Sequence, residues 1–286
     1  MRNFLTIILF IFAILIIGRN LTFLPKFNLF TGPPNEKDEL KIKIGDFIKK
    51  QKGSYGIYYF DLNSGSSFGI NEKEIYTAAS INKLPTITAL YYLANINKAN
   101  LDEQITLQKE DIQDYGTGRL RYEEPGSVYS LKTLARLALQ ESDNTANYLI
   151  ASKIGIDNIQ KIINDWGLSQ TDINENKTSN YDIFLLFKKI YKNEITTPAL
   201  TKELLGFLKD TDIEDRLPLL LPKNTIIYHK TGDAIGNIHD IGVIELNGNK
   251  FFLGVMTADI GGKENETKKA ISQIAKIIID YKQNQK

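Results

Sequence analysis

The chain has 286 residues, 42% hydrophobic and 24% charged, with Lys+Arg 35 against Asp+Glu 34. Such a mix belongs to a globular protein able to bury a sizeable core, and a net charge of +1 argues against a nucleic-acid partner. Cysteine is absent, which excludes disulfides, thiolate metal sites and a cysteine nucleophile; His229 and His239 form no H-E-x-x-H pattern, so neither a metal nor a cofactor is expected.

In chain order, Arg2 precedes an apolar run from Phe4 to Ile17, 14 residues broken only by Thr6. A spanning helix needs about 20 such residues and a signal h-region about 7–15. Residues 1–24 therefore read as an export signal, or as an uncleaved signal anchor, because Gly18-Arg19-Asn20 offers no small-x-small cleavage site. Either reading puts the rest of the chain outside the cytoplasm, secreted or held at the outer face of the membrane. Residues 25–34, ending in Gly32-Pro33-Pro34, read as a linker. The folded domain is expected over 35–286.

Glu36 to Lys50 carries Leu40, Ile44, Phe47 and Ile48 at helical spacing. Ser54–Leu62 and Ser66–Ile70, joined through Asn63-Ser64-Gly65, predict a hairpin. From Ser80 to Phe207 the pattern is mostly helical, as in Leu131–Gln140 and Tyr181–Tyr191. Thr225–Lys230, Ile238–Leu246 and Lys250–Thr257 return to strands, with Asn247-Gly248-Asn249 a hairpin turn. Glu264–Tyr281 closes as a helix. Strands at both ends and helices between predict an α+β fold. One antiparallel sheet, built from both ends of the domain and flanked by helices, carries an inserted all-helical subdomain over roughly 78–212. A cleft between sheet and insert is the place for a site.

Three short motifs bear on that cleft. Ser80-Ile81-Asn82-Lys83 puts a lysine three residues after a serine, on the same helical face. A serine hydroxyl needs a base to become a nucleophile, and a lysine kept neutral by burial can supply one. Pro85 fits only near the first turn, so the helix is expected to start close to Ser80. Ser142-Asp143-Asn144 follows a helix and offers a hydroxyl relay and an amide, or simply a helix cap. Lys230-Thr231-Gly232 is expected at the end of a strand, two polar groups for a carboxylate beside a glycine that lets a ligand approach. Each motif alone reads as ordinary local structure. Their order, with 62 residues from Ser80 to Ser142 and 88 from Ser142 to Lys230, is the signature set S-x-x-K, S-D-N, K-T-G.

On those motifs, together with Asp215-Arg216-Leu217-Pro218 and His229-Lys230-Thr231-Gly232-Asp233, the chain from Tyr76 to Met256 resembles class A β-lactamases and related penicillin-recognising serine hydrolases. The resemblance implies a five-stranded antiparallel sheet flanked by helices with an all-helical part. It implies Ser80 as the acylated nucleophile and Lys83 taking or relaying its proton. Ser142 would pass a proton to the leaving nitrogen. Asn144 would hold a substrate amide and contact Lys83, and Lys230 and Thr231 would bind the substrate carboxylate. Gly232 would leave room beside the strand, and the backbone N–H groups of Ser80 and Asp233 would hold the oxyanion. Tyr115, before Gly116-Thr117-Gly118, is a candidate cleft wall. The expected partners are a β-lactam or a peptidoglycan stem peptide, met by a monomer.

One stretch departs from the family. Residues 167–180 are expected to hold a glutamate and an asparagine that activate the deacylating water, yet they lack E-x-x-x-N and look short. Glu175 is their sole glutamate, a candidate general base or a plain surface residue. The function expected is thus a serine β-lactamase-like hydrolase. A DD-peptidase or transpeptidase, or a penicillin- or muropeptide-binding sensor, stands as the alternative. His229 is expected to point away from the cleft by strand alternation, and Glu123 and Glu124 to be solvated.

Overall fold

The computed structural model describes residues 36–284, so the expected signal or anchor and the linker lie outside the described residues. Helix α1 (Glu36–Ile48) leads into β1 (Ser54–Asp61) and β2 (Ser67–Ile70). After the bridge strand β3 (Tyr76–Thr77), a 3₁₀ turn (Ala79–Asn82) opens α2 (Lys83–Asn95). Two short strands, β4 (Gln104–Thr106) and β5 (Val128–Ser130), flank a long loop. The helices α3 (Leu131–Gln140), α4 (Asn144–Ile154) and α5 (Ile156–Asp165) follow, then β6 (Lys177–Thr178), α6 (Asn180–Tyr191) and α7 (Pro198–Gly206). The chain returns through β7 (Ile226–Ala234), β8 (Asn237–Leu246) and β9 (Asn249–Ala258) to α8 (Glu264–Asn284).

The main sheet has the order β2-β1-β9-β8-β7 with every neighbouring pair antiparallel. The early hairpin and the late strands meet at β1 and β9, where Ile57 faces Val255. This is the α+β fold expected from strands at the two ends of the domain. Asn247 and Gly248 both take positive φ, as the tight turn between β8 and β9 requires.

Burial divides the apolar residues into two cores. On one side of the sheet Leu40 and Ile44 of α1 and Ile271, Ile274 and Ile278 of α8 pack with Ile57, Leu253 and Val255. On the other, Phe184 and Phe187 of α6 pack on Tyr58 and Phe252, continuous with Leu84, Ile87, Leu134 and Ile163 of the helical insert. Alternation along β1 explains this, since successive side chains go to opposite faces. Tyr58 serves the second core while Ile57 and Tyr59 serve the first.

One strand differs from expectation. β7 does not end at the Lys230-Thr231-Gly232 motif but continues to Ala234, so the motif lies within the strand and the turn is Ile235-Gly236. Pairing with β8 overrides the local turn preference of glycine: Gly232 faces His239 and Asp233 faces Ile238.

Candidate active site

Ser80 sits half-buried in the 3₁₀ turn just before α2, and Pro85 falls in the first turn of that helix. The turn is conformationally unusual. Nine non-glycine residues among those described have positive φ, and seven are Asn or Asp, which tolerate it. The two others are Ala79 (φ 51°), beside the nucleophile candidate, and Ser142 (φ 57°). Backbone strain of this kind persists only where surrounding contacts impose it. At Ser142 those contacts are visible: its carbonyl accepts from Thr117 Oγ1 at 2.8 Å and from Lys83 Nζ.

Lys83 is buried and faces the SDN turn. Its Nζ contacts Ser142 Oγ at 3.3 Å and Asn144 Oδ1 at 2.6 Å. Lys230 Nζ donates to the same Ser142 Oγ at 2.9 Å and to Thr231 O at 3.1 Å. Ser142 Oγ thus stands between two lysines. Burial, then the neighbouring Lys230 charge, pushes the Lys83 pKa well below the ordinary lysine value. Burial and the Arg216 charge lower Lys230 to about 7. Two buried ammonium groups sharing one hydroxyl oppose each other's charge, so a neutral amine is favoured at Lys83. A neutral amine has a lone pair for a serine proton.

The motif's middle residue has a different task. Asp143 caps α4, with Oδ1 accepting from Ala146 N and Oδ2 from Leu120 N. The helix-cap reading thus holds for Asp143, which leaves the side chains of Ser142 and Asn144 free to face Lys83. Asn144 is half-buried, and its amide is oriented by Lys83 on one side and by Tyr115 O, which accepts from Nδ2 at 2.9 Å, on the other. A Cβ at Gly116 would collide with that Nδ2, so the glycine is what lets the loop approach. Tyr115 therefore touches the site through its backbone, while the residue is 63% exposed.

The third side of the site is the edge strand β7. His229 N donates to Leu208 O, away from β8. Antiparallel ladders alternate, so the N–H and C=O groups of Thr231 and Asp233 also point out from that edge. Gly232 permits the strand to lie against the nucleophile turn: a Cβ there would come within 2.9 Å of Ala78 O and 3.0 Å of Ile81 Cγ1. His239 Nε2 fastens the same turn by donating to Thr77 O at 2.8 Å. Its Nδ1 accepts from Thr257 N, and burial holds its pKa at about 4, so the ring is neutral.

Behind β7 lies a buried charge cluster. His229 is fully buried, with Nδ1 2.8 Å from Asp240 Oδ1 and Nε2 3.1 Å from Glu214 Oε1. Burial alone would lower its pKa, but the two carboxylates prevail and raise it to about 9, so both ring nitrogens donate. As expected, it does not face the cleft. Arg216, also buried, donates to Gly232 O, His239 O and both oxygens of Asp233.

Glu175 is not brought to this group. It is exposed, its backbone N–H donates to Asp172 Oδ1, and its carboxylate only touches Asn174 Nδ2 at 3.5 Å. The loop carrying it is short and tightly closed. Asp172 and Lys177 exchange backbone hydrogen bonds, and Ala78 N donates to Asn176 O. Asn82, between Ser80 and Lys83 in sequence, donates through Nδ2 to Asp172 O at 3.1 Å and Asn176 Oδ1 at 3.3 Å. Asn82, Thr117 and Arg216 are the supporting residues to which sequence reasoning gave no role. Their signal was faint, a polar residue beside a motif or a single arginine after acidic residues.

A family model described as the beta-lactamase enzyme family matches residues 39–282. The chain belongs to this family. Among curated relatives, the beta-lactamase VEB-1 of Pseudomonas aeruginosa is 27% identical over 277 residues, covering 86% of this chain and 91% of that protein. Among solved structures, PBP-A superposes with a TM-score of 0.83 at 28% identity, over 89% of this chain and 100% of the other. A PBP-A mutant solved as an acyl-enzyme complex with penicillin-G gives 0.82 at 27%, over 88% and 100%. The TLA-1 extended-spectrum beta-lactamase gives 0.80 at 25%, over 86% and 98%. Fold, motif order and family agree on a serine β-lactamase-like hydrolase.

Proposed function

We propose that β-lactams acylate this β-lactamase-family protein at Ser80 and that it hydrolyses the lactam amide, in the manner of the class A enzymes. The observation that carries the reading is the Lys83–Ser142–Lys230 chain at the strand edge beside Ser80. Neutral Lys83 takes the Ser80 proton as Oγ attacks the lactam carbonyl. The oxyanion lies between the N–H groups of Ser80 and Asp233. Ser142 gives its proton to the leaving nitrogen and regains one from the lysines on either side. Lys230, when charged, and Thr231 hold the substrate carboxylate. Water then cleaves the Ser80 ester, returning the hydroxyl to the enzyme and a second carboxylate to the product.

A second reading, a DD-peptidase or a penicillin-binding sensor, draws support from the placement of Glu175. With that carboxylate exposed and turned to Asn174, the loop's sole glutamate is not placed as a base for the water. Acylation would then outlive turnover. We further propose that residues 1–24 carry the domain out of the cytoplasm, as a signal or as an anchor.

The test is to mix the protein with a chromogenic cephalosporin and follow colour and intact mass together. Repeated turnover with a transient adduct is expected for the hydrolase. A stable adduct without turnover selects the second reading, and neither colour nor adduct overturns both.

A further inference from the structure

The Gly116-Thr117-Gly118 triplet takes no part in the acylation chemistry, yet it is fitted residue by residue to the Ser142-Asp143-Asn144 turn. Thr117 spans that turn. Its Oγ1 donates to Ser142 O at 2.8 Å, and its own carbonyl accepts from Asn144 N at 3.2 Å. Both flanking glycines have positive φ, 73° and 109°. A Cβ at Gly118 would lie 2.4 Å from Asp143 Cα, as one at Gly116 would strike Asn144 Nδ2, so glycine on both sides is what brings Thr117 this close. Arg119 closes the far end of the contact, with Nε donating to Glu141 Oε2 at 2.6 Å. Gripped in this way, Ser142 keeps its left-handed φ of 57°.

The same carbonyl holds Lys83. Lys83 Nζ has three oxygen partners on this turn: Ser142 O, Ser142 Oγ at 3.3 Å and Asn144 Oδ1 at 2.6 Å. An ammonium group donates to all three, whereas a neutral amine donates two protons and keeps a lone pair. To take the Ser80 proton, Lys83 must give up one of these contacts. A carbonyl oxygen has two lone pairs, and here Thr117 takes one while Lys83 meets the other. An acceptor already drawn on by one donor pulls less on a second. We propose that Thr117 is a positioning residue, whose hydroxyl weakens the hold of the Ser142 carbonyl on Lys83 and so lets the amine turn to Ser80. This rests on the reading that Ser80 is acylated with Lys83 as its base. Of the charged groups facing Lys83, Lys230 opposes its ammonium form and Asp143 favours it, while Arg119 and Glu141 are paired with each other. If Thr117 only closed the loop, its hydroxyl would affect acylation equally at every pH.

The experiment follows acylation of the full chain by penicillin G, as the second-order rate of adduct formation in intact-mass spectra, from about pH 5 to about pH 9. Thr117→Val keeps the shape of the side chain and removes the donor. Ser142 O then pulls harder on the ammonium, so the rise of the rate with pH is expected at higher pH than in the wild type. The ratio of the Thr117→Val rate to the wild-type rate is expected to be lowest at the acid end, about two- to tenfold below its alkaline value, the range of one hydrogen bond. Thr117→Ser, which keeps the hydroxyl, should return the wild-type profile. Thr117 is exposed, so its loss leaves the core untouched, and Thr117→Ala removes the same donor if Thr117→Val disturbs the loop. A ratio that stays flat across the range, or a Thr117→Ser profile that follows that of Thr117→Val, overturns the proposal. Failure of penicillin G to label Ser80 in the wild type would instead overturn the reading beneath it.

Discussion

The two sides of Ser80 are built differently. On one side, Lys83, Ser142, Asn144 and Lys230 form a buried, continuous network of charged and hydroxyl groups, backed by the Arg216 and His229 clusters. On the other, the 167–180 loop is held by Asn82, by the buried Asp182 carboxylate and by its own backbone pairing, with its glutamate in solvent. The first side gathers two lysines on one hydroxyl; the second sets its one glutamate apart from them. Groups that shift one another's pKa must be buried together, and the loop's one glutamate lies in solvent instead.

The sharpest test of the first side is Ser80→Ala. Covalent labelling by penicillin is expected to vanish in intact-mass spectra, and a variant that still labels there would displace the whole site. Next in size is Lys83→Met, which removes the base while keeping the stem's packing. Acylation is expected to slow by about 10²–10⁴-fold, read as the second-order rate of adduct formation. An unchanged rate would move the base elsewhere.

The support behind β7 can be separated from chemistry by pH. His229 has its folded pKa raised to about 9. Its protonation therefore contributes stability that is fully present below about 6.5 and is lost as pH rises through about 9. The stability gap between wild type and His229→Gln, from denaturant unfolding, is expected to shrink over that window by on the order of 3 kcal/mol. A pH-independent gap would mean the ring is not charged in the fold. The smallest effect is expected on the other side of Ser80. Glu175→Gln should change the deacylation rate less than about twofold, whereas a general base would cost at least about 10²-fold. A loss of that size would bring Glu175 back into the reaction and erase the contrast between the two sides.

Much of this was legible in the amino-acid order. Helix α3, the Asn247-Gly248 turn and the strands at both ends of the domain follow from periodicity and turn chemistry, which are local. So does the start of α2 close to Ser80, with Pro85 in its first turn. The three motifs, taken in their order, named Ser80, Lys83, Ser142 and Lys230 through the family resemblance that this order carries. The sequence also announced that 167–180 was short and carried a single glutamate. Where that glutamate points was settled by Asp172–Lys177 pairing and by Asn82, contacts that no local pattern encodes. Tertiary structure alone decided that β7 runs through its motif to Ala234, since strand pairing outweighs one glycine's turn preference. It alone placed Ala79 and Ser142 in left-handed conformations, set two lysines on one hydroxyl and turned Arg216 onto Asp233. Charge, strain and proton affinity at a site depend on burial and on neighbours far apart in the chain, and those are properties of the packed fold.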